Sequence, residues 1–570
     1  MIQPEGLLTM ANLNKSKTLF AFTSPRTIEK IIPEIRLLGE NFEGKQWNTQ
    51  TQVTFFRNLF SSAFYEGKSM PSNISFAARD RITRAPKSLG FVDLKPQIKV
   101  TEIGKVLLTE KRINETFTRQ LLKFQLPSPY HKSSTDLFFV KPYLEFLRLL
   151  SDLDYLTKYE TAIFFLQLTH INSFIEIRTK IKKFRGKLKT NTSNRKRFID
   201  DCFNDEIRQL YKDEIGKNNF KTRESDELSL KKFIRTKKSN MLDYADAFIR
   251  YMRATSLITY ESKTYRIIIA PFKKEEVCHI LNTIPRKPKI FTNESKFKKY
   301  LFSASNLSLL NDSAERISHR LKKLGITCPA GMDIEGMKDI IESEEKKIRD
   351  KNIDNTVKSL KNNYDDYEDV KSTFIQITNR EVPDPSLYLE WNVWRAMTML
   401  DDAVKINGNF SFDLDGIPLS NAKGNVPDIE VEYEDFNLIV EVTMSSGNTQ
   451  YNMEGEPVAR HFGMAQQKSD KKVFCLFVAP NISNGALAHF YNLNRMNTKA
   501  YGGKTRIVPI NLNQFIRFIE RAKLSNFCNQ KDLYGFFDSA IQKIQDSENE
   551  ELWFKSIDES ISKWGSSAKL

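Results

Sequence analysis

The chain has 570 residues, of which 40% are hydrophobic and 28% are charged, a composition that favours roughly two to four folded domains over disorder. No apolar run reaches the roughly 18 to 20 residues that span a bilayer. The first residues also lack the apolar core of a signal peptide. We therefore expect a soluble, cytoplasmic protein.

Positive charge is concentrated in the first half of the chain. Residues 1–285 contain 49 Lys and Arg against 31 Asp and Glu, and the remainder contains 38 against 40, so the net excess of +16 lies before residue 286. A basic half is typical of a protein that binds a polyanion such as a nucleic acid. The alternative is a charge that serves solubility alone.

The N-terminal part predicts helices followed by a small β-element. Segments 27–40, 49–65 and 75–89 have helical apolar spacing. Strand-like segments at 91–92 and 97–100 follow, and Thr101 is placed to cap a helix over 102–108. This order is typical of a winged helix, in which the helix before the wing faces DNA. That helix carries the candidate DNA-binding side chains, which are Arg79, Asp80, Arg81, Arg84 and Lys87.

Arg81, Arg84 and Lys87 are spaced to lie along roughly one helix face, although Pro86 should end the helix nearby. A second helix, strand pair and helix is predicted over 243–281. Between the two modules, residues 178–240 are rich in Lys and Arg, which suits a surface against a phosphate backbone. The alternative for either module is a winged helix that binds protein.

The sequence predicts a multidomain α+β protein. Two winged-helix modules, 1–135 and 136–282, are followed by a linker at 283–295, where two prolines interrupt the chain. The C-terminal domain, 296–570, alternates helices and strands. Helices are predicted at 385–399, 485–496 and 512–522, and strands at 425–444 (two strands), 473–479 and 506–510. They predict a mixed sheet flanked by helices.

Two acidic residues stand out in the predicted hairpin at 425–444. If the hairpin turns at Glu434 and Asp435, Asp428 and Glu441 are paired across it, a few ångströms apart. Like charges so close on an apolar strand are costly without a cation. A hard divalent ion such as Mg²⁺ would offset that cost, and it could promote attack of water on a phosphodiester.

Four segments carry a family resemblance: Gly424–Asp428, Tyr433–Phe436, Glu441–Thr443 and Glu454–His461. They resemble the cleavage domain of AlwI-like type IIS restriction endonucleases, a family that includes strand-specific nicking enzymes. Residues 78–81 and 98–108 are similar to the family's recognition part. The resemblance implies a winged-helix recognition region, a PD-(D/E)xK cleavage domain and cleavage a short distance outside an asymmetric site.

The resemblance also implies roles for individual residues. Asp428 and Glu441 would bind the metal, with the carbonyl of Val442 as a third ligand. Glu390 would add an acid from the preceding helix, unless it is an exposed acid beside Trp391. Glu454 and His461 match the family's downstream acid and histidine. Pro457 predicts a helix that starts near that position, with His461 in its first turns and Glu454 just ahead of it. The alternative for His461 is a structural histidine.

Thr443 departs from the broader PD-(D/E)xK pattern, because it stands where lysine is usual. His461, Glu454 or a distant lysine such as Lys472 would replace that lysine, or the metal alone would activate water. The general base therefore stays unassigned.

The resulting prediction is a Mg²⁺-dependent type IIS restriction endonuclease acting on double-stranded DNA. The alternatives are a nicking endonuclease of the same family, a non-catalytic tandem winged-helix regulator, and a nuclease for RNA or repair intermediates. One centre cuts one strand, so double-strand cleavage would need a second subunit, a transient homodimer or sequential nicking.

Overall fold

The structure is a computed structural model. It describes residues 11–25, 28–62, 64–65, 69–191, 194–327, 331–361, 364–400, 402–422, 425–525 and 529–564. The chain divides into two compact units, Met1–Glu344 and Glu345–Leu570. Within the described ranges, no helix combines the length and apolar character needed to cross a bilayer. Gly424, quoted above for the family resemblance, lies outside the described residues.

The first unit is mainly helical. Its helices are α1 (Ile28–Phe42), α2 (Thr49–Phe60), α3 (Ile74–Thr83), α4 (Ala85–Ser88), α5 (Glu102–Leu108), α6 (Ile113–Lys123), α7 (Pro142–Leu153), α8 (Lys158–Ile163), α9 (Phe174–Thr190), α10 (Arg195–Leu210), α11 (Lys212–Gly216), α12 (Leu230–Arg253), α13 (Lys274–Thr283), α14 (Glu294–Phe302) and α15 (Ala314–Lys323). Its strands are β1 (Ala11–Asn12), β2 (Val92–Asp93), β3 (Lys99–Val100), β4 (His131–Lys132), β5 (Ile258–Tyr260) and β6 (Ile267–Ile269). Helix α16 (Ile334–Leu360) contains the boundary between the units.

The elements expected for both modules are present in the first unit. Strands β2 and β3 pair antiparallel ahead of α5, and β5 and β6 pair antiparallel between α12 and α13. Thr101 caps α5 as predicted, since its hydroxyl accepts a hydrogen bond from Gly104 N at 3.1 Å. The helix predicted over 75–89 is divided instead: α3 ends at Thr83, and Pro86 lies in the first turn of α4.

The segment predicted as a linker, 283–295, packs on the first unit. Arg286 donates to both carboxylate oxygens of Glu145 at 2.8 and 2.6 Å, and Glu145 is fully buried. Lys141 Nζ donates to the carbonyl of Pro285 at 2.7 Å. A bidentate ion pair with a buried partner holds this segment in place.

The structure also places residues 296–344 with the first unit, whereas the sequence assigned them to the cleavage domain. Arg119 on α6 pairs with Asp312 at 2.8 Å, and Lys338 pairs with Glu115 at 2.7 Å. These partners are far apart in sequence, so no local pattern indicates where the first unit ends.

His131 is a buried histidine of the first unit. Its ring lies 5.2 Å from Phe20 and 5.5 Å from Phe124, and its nitrogens lie 3.5 and 3.3 Å from the hydroxyls of Ser88 and Ser128. Burial, aided by the charge of Lys87, lowers the pKa of His131 to about 3. The unfolded chain therefore binds a proton that the folded chain does not bind, once the pH falls below about 6.5.

Because its folded pKa is depressed, neutral His131 contributes stability that is complete above about pH 6.5 and is lost as the pH falls towards 3. We expect His131→Gln to flatten the dependence of the thermal unfolding midpoint on pH between about 6.5 and 4, because glutamine gains no charge. The exposed His319→Gln is the control and should retain the wild-type profile. A wild-type slope in His131→Gln would contradict the prediction.

The second unit contains α17 (Tyr367–Thr378), α18 (Pro385–Leu400), α19 (Gly447–Lys468), α20 (Asn484–Arg495), α21 (Leu512–Ser525), α22 (Gln530–Gln542) and α23 (Glu550–Lys563). Its strands are β7 (Lys405–Gly408), β8 (Ser411–Phe412), β9 (Pro418–Ser420), β10 (Ile429–Glu432), β11 (Phe436–Val442), β12 (Lys472–Ala479) and β13 (Ile507–Asn511). Each helix and strand that the sequence predicted in this part is present as the predicted type of element.

Five strands form one mixed sheet in the order β13, β12, β11, β10, β7. Strands β11, β12 and β13 run parallel, and β10 is antiparallel to both of its neighbours. Helices α19 and α20 pack on one face, where Ile439, Phe462, Phe477 and Phe490 belong to one apolar cluster. On the other face Phe474 stacks with Phe537 of α22. The predicted mixed sheet flanked by helices is confirmed.

Candidate active site

Strands β10 and β11 form the predicted hairpin. Ile429 lies opposite Val440, and continuing this register by one residue places Asp428 opposite Glu441. Strand β10 alternates buried and exposed residues, as expected for a strand with one solvent face. The register predicted from the turn at 434–435 is confirmed.

Asp428 and Glu441 lie side by side on neighbouring strands, with Glu441 buried and Asp428 half-buried. Glu441 is 6% exposed, and Asp428 Oδ2 accepts a hydrogen bond from Val442 N at 2.7 Å. Burial raises the pKa of both side chains well above their usual values, and the charge of Glu441 adds to the rise at Asp428. Two acids so close and so poorly solvated must hold a proton or a cation.

Glu390 of α18 belongs to the same cluster. It is buried, and its carboxylate accepts hydrogen bonds from Asn421 Nδ2 at 2.5 Å and from Ala422 N at 3.4 Å. Burial raises the pKa of Glu390, and the charge of Asp428 adds to the rise. The alternative of an exposed acid is therefore wrong. The contact with Asn421, in the irregular segment before Asp428, has no signal in the sequence.

Helix α19 brings Glu454 and His461 to the carboxylates. The sequence predicted that this helix starts near Pro457, but α19 begins at Gly447 and contains Pro457 in its interior. Proline removes one helical hydrogen bond, yet the buried face of α19, including Val458 and Phe462, packs on the sheet and keeps the helix continuous. Glu454 and His461 thus lie two turns apart on one helix.

His461 contacts Glu441 directly, with Nδ1 2.8 Å from Oε1. Burial, aided by the charge of Arg460, lowers the pKa of His461 to about 4. When a cation holds Glu441 in its ionised form, that carboxylate can only accept, so Nδ1 carries the proton and Nε2 has a free lone pair. Nε2 is buried and has no hydrogen-bond partner among the described residues. A buried nitrogen of this kind is suited to hold a water or a reacting group.

Thr443 contacts Glu454, although it stands at the position where lysine was expected. Its hydroxyl donates to Glu454 Oε1 at 2.8 Å and accepts from Ser445 N at 3.0 Å. The Ser445 hydroxyl lies 3.5 Å from the same carboxylate oxygen. Thr443 therefore fixes the orientation of Glu454, a role that sequence reasoning missed.

Lys472 does not replace the missing lysine. It pairs with Phe436 at the far end of the β11–β12 ladder, whereas Glu441 pairs with Phe477, five residues along β12. Its ammonium group forms an ion pair with Asp538 of α22. That hypothesis is wrong, because strand register separates Lys472 from the carboxylates.

A metal ion would find few side-chain ligands here. Among the residues that the structure describes, no group of three or more His, Cys, Asp and Glu side chains is arranged to hold one. Asp428 and Glu441 nevertheless offer the hard oxygen donors that Mg²⁺ prefers, and Mg²⁺ commonly uses one or two carboxylates with water and phosphate. The donor set fits an ion that is completed by substrate.

The five predicted DNA-binding residues differ in accessibility. Arg81 Nε donates to Glu34 at 2.8 Å, and Glu34 is buried. Arg84 pairs with Asp80 at 2.5 Å. Lys87 lies 4.5 Å above the ring of its neighbour Tyr130, and burial lowers the pKa of Lys87.

Arg79, in contrast, is exposed and lies 5.7 Å above the ring of Phe76, which is 50% exposed. Of the five residues predicted to bind DNA, Arg79 can reach a ligand without giving up an internal ion pair.

The class of this protein follows from a family comparison. A model of restriction endonucleases, enzymes that cleave DNA, matches residues 87–518, which include Asp428, Glu441 and all of α19. The family is described as AlwI restriction endonuclease, and the chain belongs to it.

Comparisons with curated proteins and with solved structures give no further support for a function. No curated protein matches the chain. The small subunit of the heterodimeric restriction endonuclease R.BspD6I is 23% identical, with a TM-score of 0.30 over 34% of this chain and 98% of that one. The BpuJ1 endonuclease binding domain, solved with modified DNA, is 14% identical, with a TM-score of 0.33 over 51% and 96%. At these TM-scores neither similarity supports an argument.

Proposed function

We propose that the chain is a type IIS restriction endonuclease, which binds a short asymmetric site in duplex DNA and hydrolyses phosphodiester bonds a short distance outside it with Mg²⁺. The observation that carries the proposal is the adjacent pair Asp428 and Glu441, with His461 hydrogen-bonded to the buried Glu441. Two adjacent acids can hold a metal ion for hydrolysis, and a neutral histidine can accept a proton.

Cleavage outside the recognition site is supported by the division of the chain. The basic residues before position 286 belong to the first unit, and the acidic cluster belongs to the second. We place recognition in two winged-helix modules, 1–135 and 136–282, because helix, strand pair and helix occur in that order in each. We assign the second unit to the PD-(D/E)xK fold, because adjacent strands of its mixed sheet carry Asp428 and Glu441.

Asp428, Glu441 and the carbonyl of Val442 would hold Mg²⁺. The ion would supply acidification of water and charge neutralisation at the scissile phosphate. Glu441 orients the imidazole of His461, and the free Nε2 of His461 accepts the proton of the attacking water. Glu390 and Glu454 surround the pair as further negative charges, and Thr443 and Asn421 hold them in place.

Thr443→Val tests the role of the hydroxyl that holds Glu454. Valine keeps the shape but removes the donor, so we expect the single-turnover cleavage rate to fall about 10- to 100-fold, as for other residues that support a metal site. Thr443→Ser retains the hydroxyl and should retain most of the rate. Equal rates in Thr443→Val and the wild type would show that Glu454 does not need this contact.

Strand-specific nicking is the second candidate, because the described residues form one such acidic cluster and one centre cuts one strand. Double-strand cleavage would then require a transient homodimer, a second subunit or sequential nicking. A dependence of linear product on the square of enzyme concentration would indicate a dimer. Nicked circles that accumulate without linear product would indicate a nicking enzyme.

Supercoiled plasmid provides the direct test. Incubation with Mg²⁺ should give discrete nicked or linear products, and excess EDTA should abolish them. Run-off sequencing of the ends should then show one asymmetric sequence at a constant offset from the cut. A cut within a symmetric site would reject the type IIS assignment, and cleavage in EDTA would reject the metal.

A further inference from the structure

A run of basic residues without a single acid lies at the junction of α9 and α10. Residues 182–197 contain eight Lys and Arg and no Asp or Glu. The rings of Phe184 and Phe198 stack at 5.7 Å and join the end of α9 to the start of α10. The two ends of the basic run are thus parts of one packed structure.

Most of these basic side chains are exposed and form no ion pair with a described carboxylate. Helix α9 buries Phe174, Ile177, Ile181 and Phe184 on its inner face. Of the basic residues, Arg185 pairs with Glu160 at 2.7 Å and Arg197 pairs with Asp201 at 3.8 Å. Six others are exposed, and none of the six pairs with a carboxylate among the described residues. They are Lys182, Lys183, Lys187, Lys189, Arg195 and Lys196, and we call them the basic surface.

Two acids of α10 are engaged by lysines outside the basic surface. Asp200 pairs with Lys238 at 2.5 Å, and Glu206 pairs with Lys180 at 3.0 Å. These two carboxylates therefore do not neutralise the basic surface. Like charges one helical turn apart, such as Lys183 and Lys187, destabilise a helix, so this arrangement costs stability unless a polyanion neutralises it.

Gly186 gives a second sign of a ligand on this face. It lies in the interior of α9 between Lys183 and Lys187, where glycine costs about 0.5 to 1 kcal/mol relative to alanine. A Cβ atom at this position would meet nothing within 4 Å, so packing does not require glycine. A glycine on an exposed helix face lets another backbone approach closely.

We propose that the basic surface binds the phosphate backbone of duplex DNA without reading its sequence. The span from Lys182 to Lys189 is about 10 Å of helix, which matches about three phosphates along one strand. The exposed positions from 182 to 190 are Lys, Gly and Thr, so no apolar group is available to enter a membrane. The inference rests on the proposed location of DNA binding in the first unit.

The test is the salt dependence of DNA binding. The full-length variant Lys182→Gln, Lys183→Gln, Lys187→Gln, Lys189→Gln is compared with the wild type by fluorescence anisotropy on a short random-sequence duplex in EDTA. Each lost phosphate contact should reduce the slope of log K against log salt by about 0.9, so we expect a decrease of roughly 3.

A matched control removes the same charge from four exposed lysines of the same unit that lie outside residues 1–282, where we place recognition, by Lys287→Gln, Lys296→Gln, Lys299→Gln and Lys322→Gln. Its slope should change by less than about 1. Equal slopes for the two quadruple variants would overturn the proposal.

A single substitution separates loss of binding from loss of fold. Gly186→Glu adds a better helix former and places a negative charge among the lysines, so it should weaken binding while the thermal unfolding midpoint stays the same or rises. Unchanged binding would overturn the proposal. These binding measurements do not depend on cleavage. If the wild type does not cleave DNA but the quadruple variant still shows a reduced salt slope, the proposed function is rejected and the basic surface remains supported.

Discussion

Glu441→Gln is expected to lower the single-turnover rate of DNA cleavage by at least about a thousandfold, because charge stabilisation at a metal site contributes several kcal/mol to the barrier. Glutamine keeps the size of the side chain and still accepts the hydrogen bond from His461. DNA binding in EDTA should stay within about twofold of the wild type. Cleavage by a quenched mixing assay and binding by anisotropy measure the two effects separately.

Glu430→Gln is the matched control, because Glu430 lies on the exposed face of β10, two residues after Asp428. It should cleave at the wild-type rate. Cleavage that survives Glu441→Gln would reject Glu441 as a ligand, and loss of cleavage in both variants would indicate a general effect of charge on the hairpin.

In the absence of metal, the Glu441→Gln variant should be at least as stable as the wild type. Because the folded pKa of Glu441 is raised, the folded chain binds this proton more tightly than the unfolded chain. Stability is therefore lost as the pH rises above the usual glutamate value of about 4.3, and glutamine avoids the loss. We expect the difference in thermal unfolding midpoint, measured in EDTA, to grow with pH. A midpoint that falls equally at every pH would contradict this.

His461→Gln is expected to lower the cleavage rate about 100- to 10,000-fold, the contribution typical of a proton acceptor in the transition state. The imidazole is held by Glu441 at 2.8 Å, and its other nitrogen is buried without a partner among the described residues. Glutamine cannot accept a proton at neutral pH. Single-turnover rates with Mg²⁺ at saturating enzyme measure the effect without a contribution from binding.

His489→Gln is the control for His461. Burial lowers the pKa of His489 as well, but this half-buried histidine lies on α20 and contacts Tyr451, with ring centroids 5.5 Å apart, rather than the carboxylates. It should retain the wild-type rate. Equal losses in the two variants would mean that the helix packing, and not the chemistry of His461, limits cleavage.

The hairpin of the candidate site could be predicted in register because its signals are local. Alternating burial in β10 and a turn two residues long determine which residues face each other. Strands β12 and β13 were recognisable as apolar runs for the same reason, whereas the polar edge strand β7 was not predicted. The resemblance to restriction endonucleases depended on these short segments, and the family comparison confirms it.

Other features depended on partners far away in the sequence. Helix α19 continues through Pro457 because its buried face packs against the sheet. The sequence shows the proline, which predicts a helix boundary, but it does not show this packing. The sequence predicted that Arg81 and Lys87 contact DNA from a helix face. In the structure Arg81 donates a hydrogen bond to Glu34, and Lys87 lies over the ring of Tyr130. The end of the first unit is set by ion pairs such as Lys338 with Glu115.

The sequence by itself determined that Asp428 and Glu441 face each other across a hairpin, and that the positive charge lies in the first half. These properties follow from the two-residue period of a strand and from composition. Only the tertiary structure decided that Glu390, Glu454 and His461 surround that pair, that Thr443 supports Glu454, and which basic side chains stay free. Such contacts join separate elements, and burial in a packed core selects them.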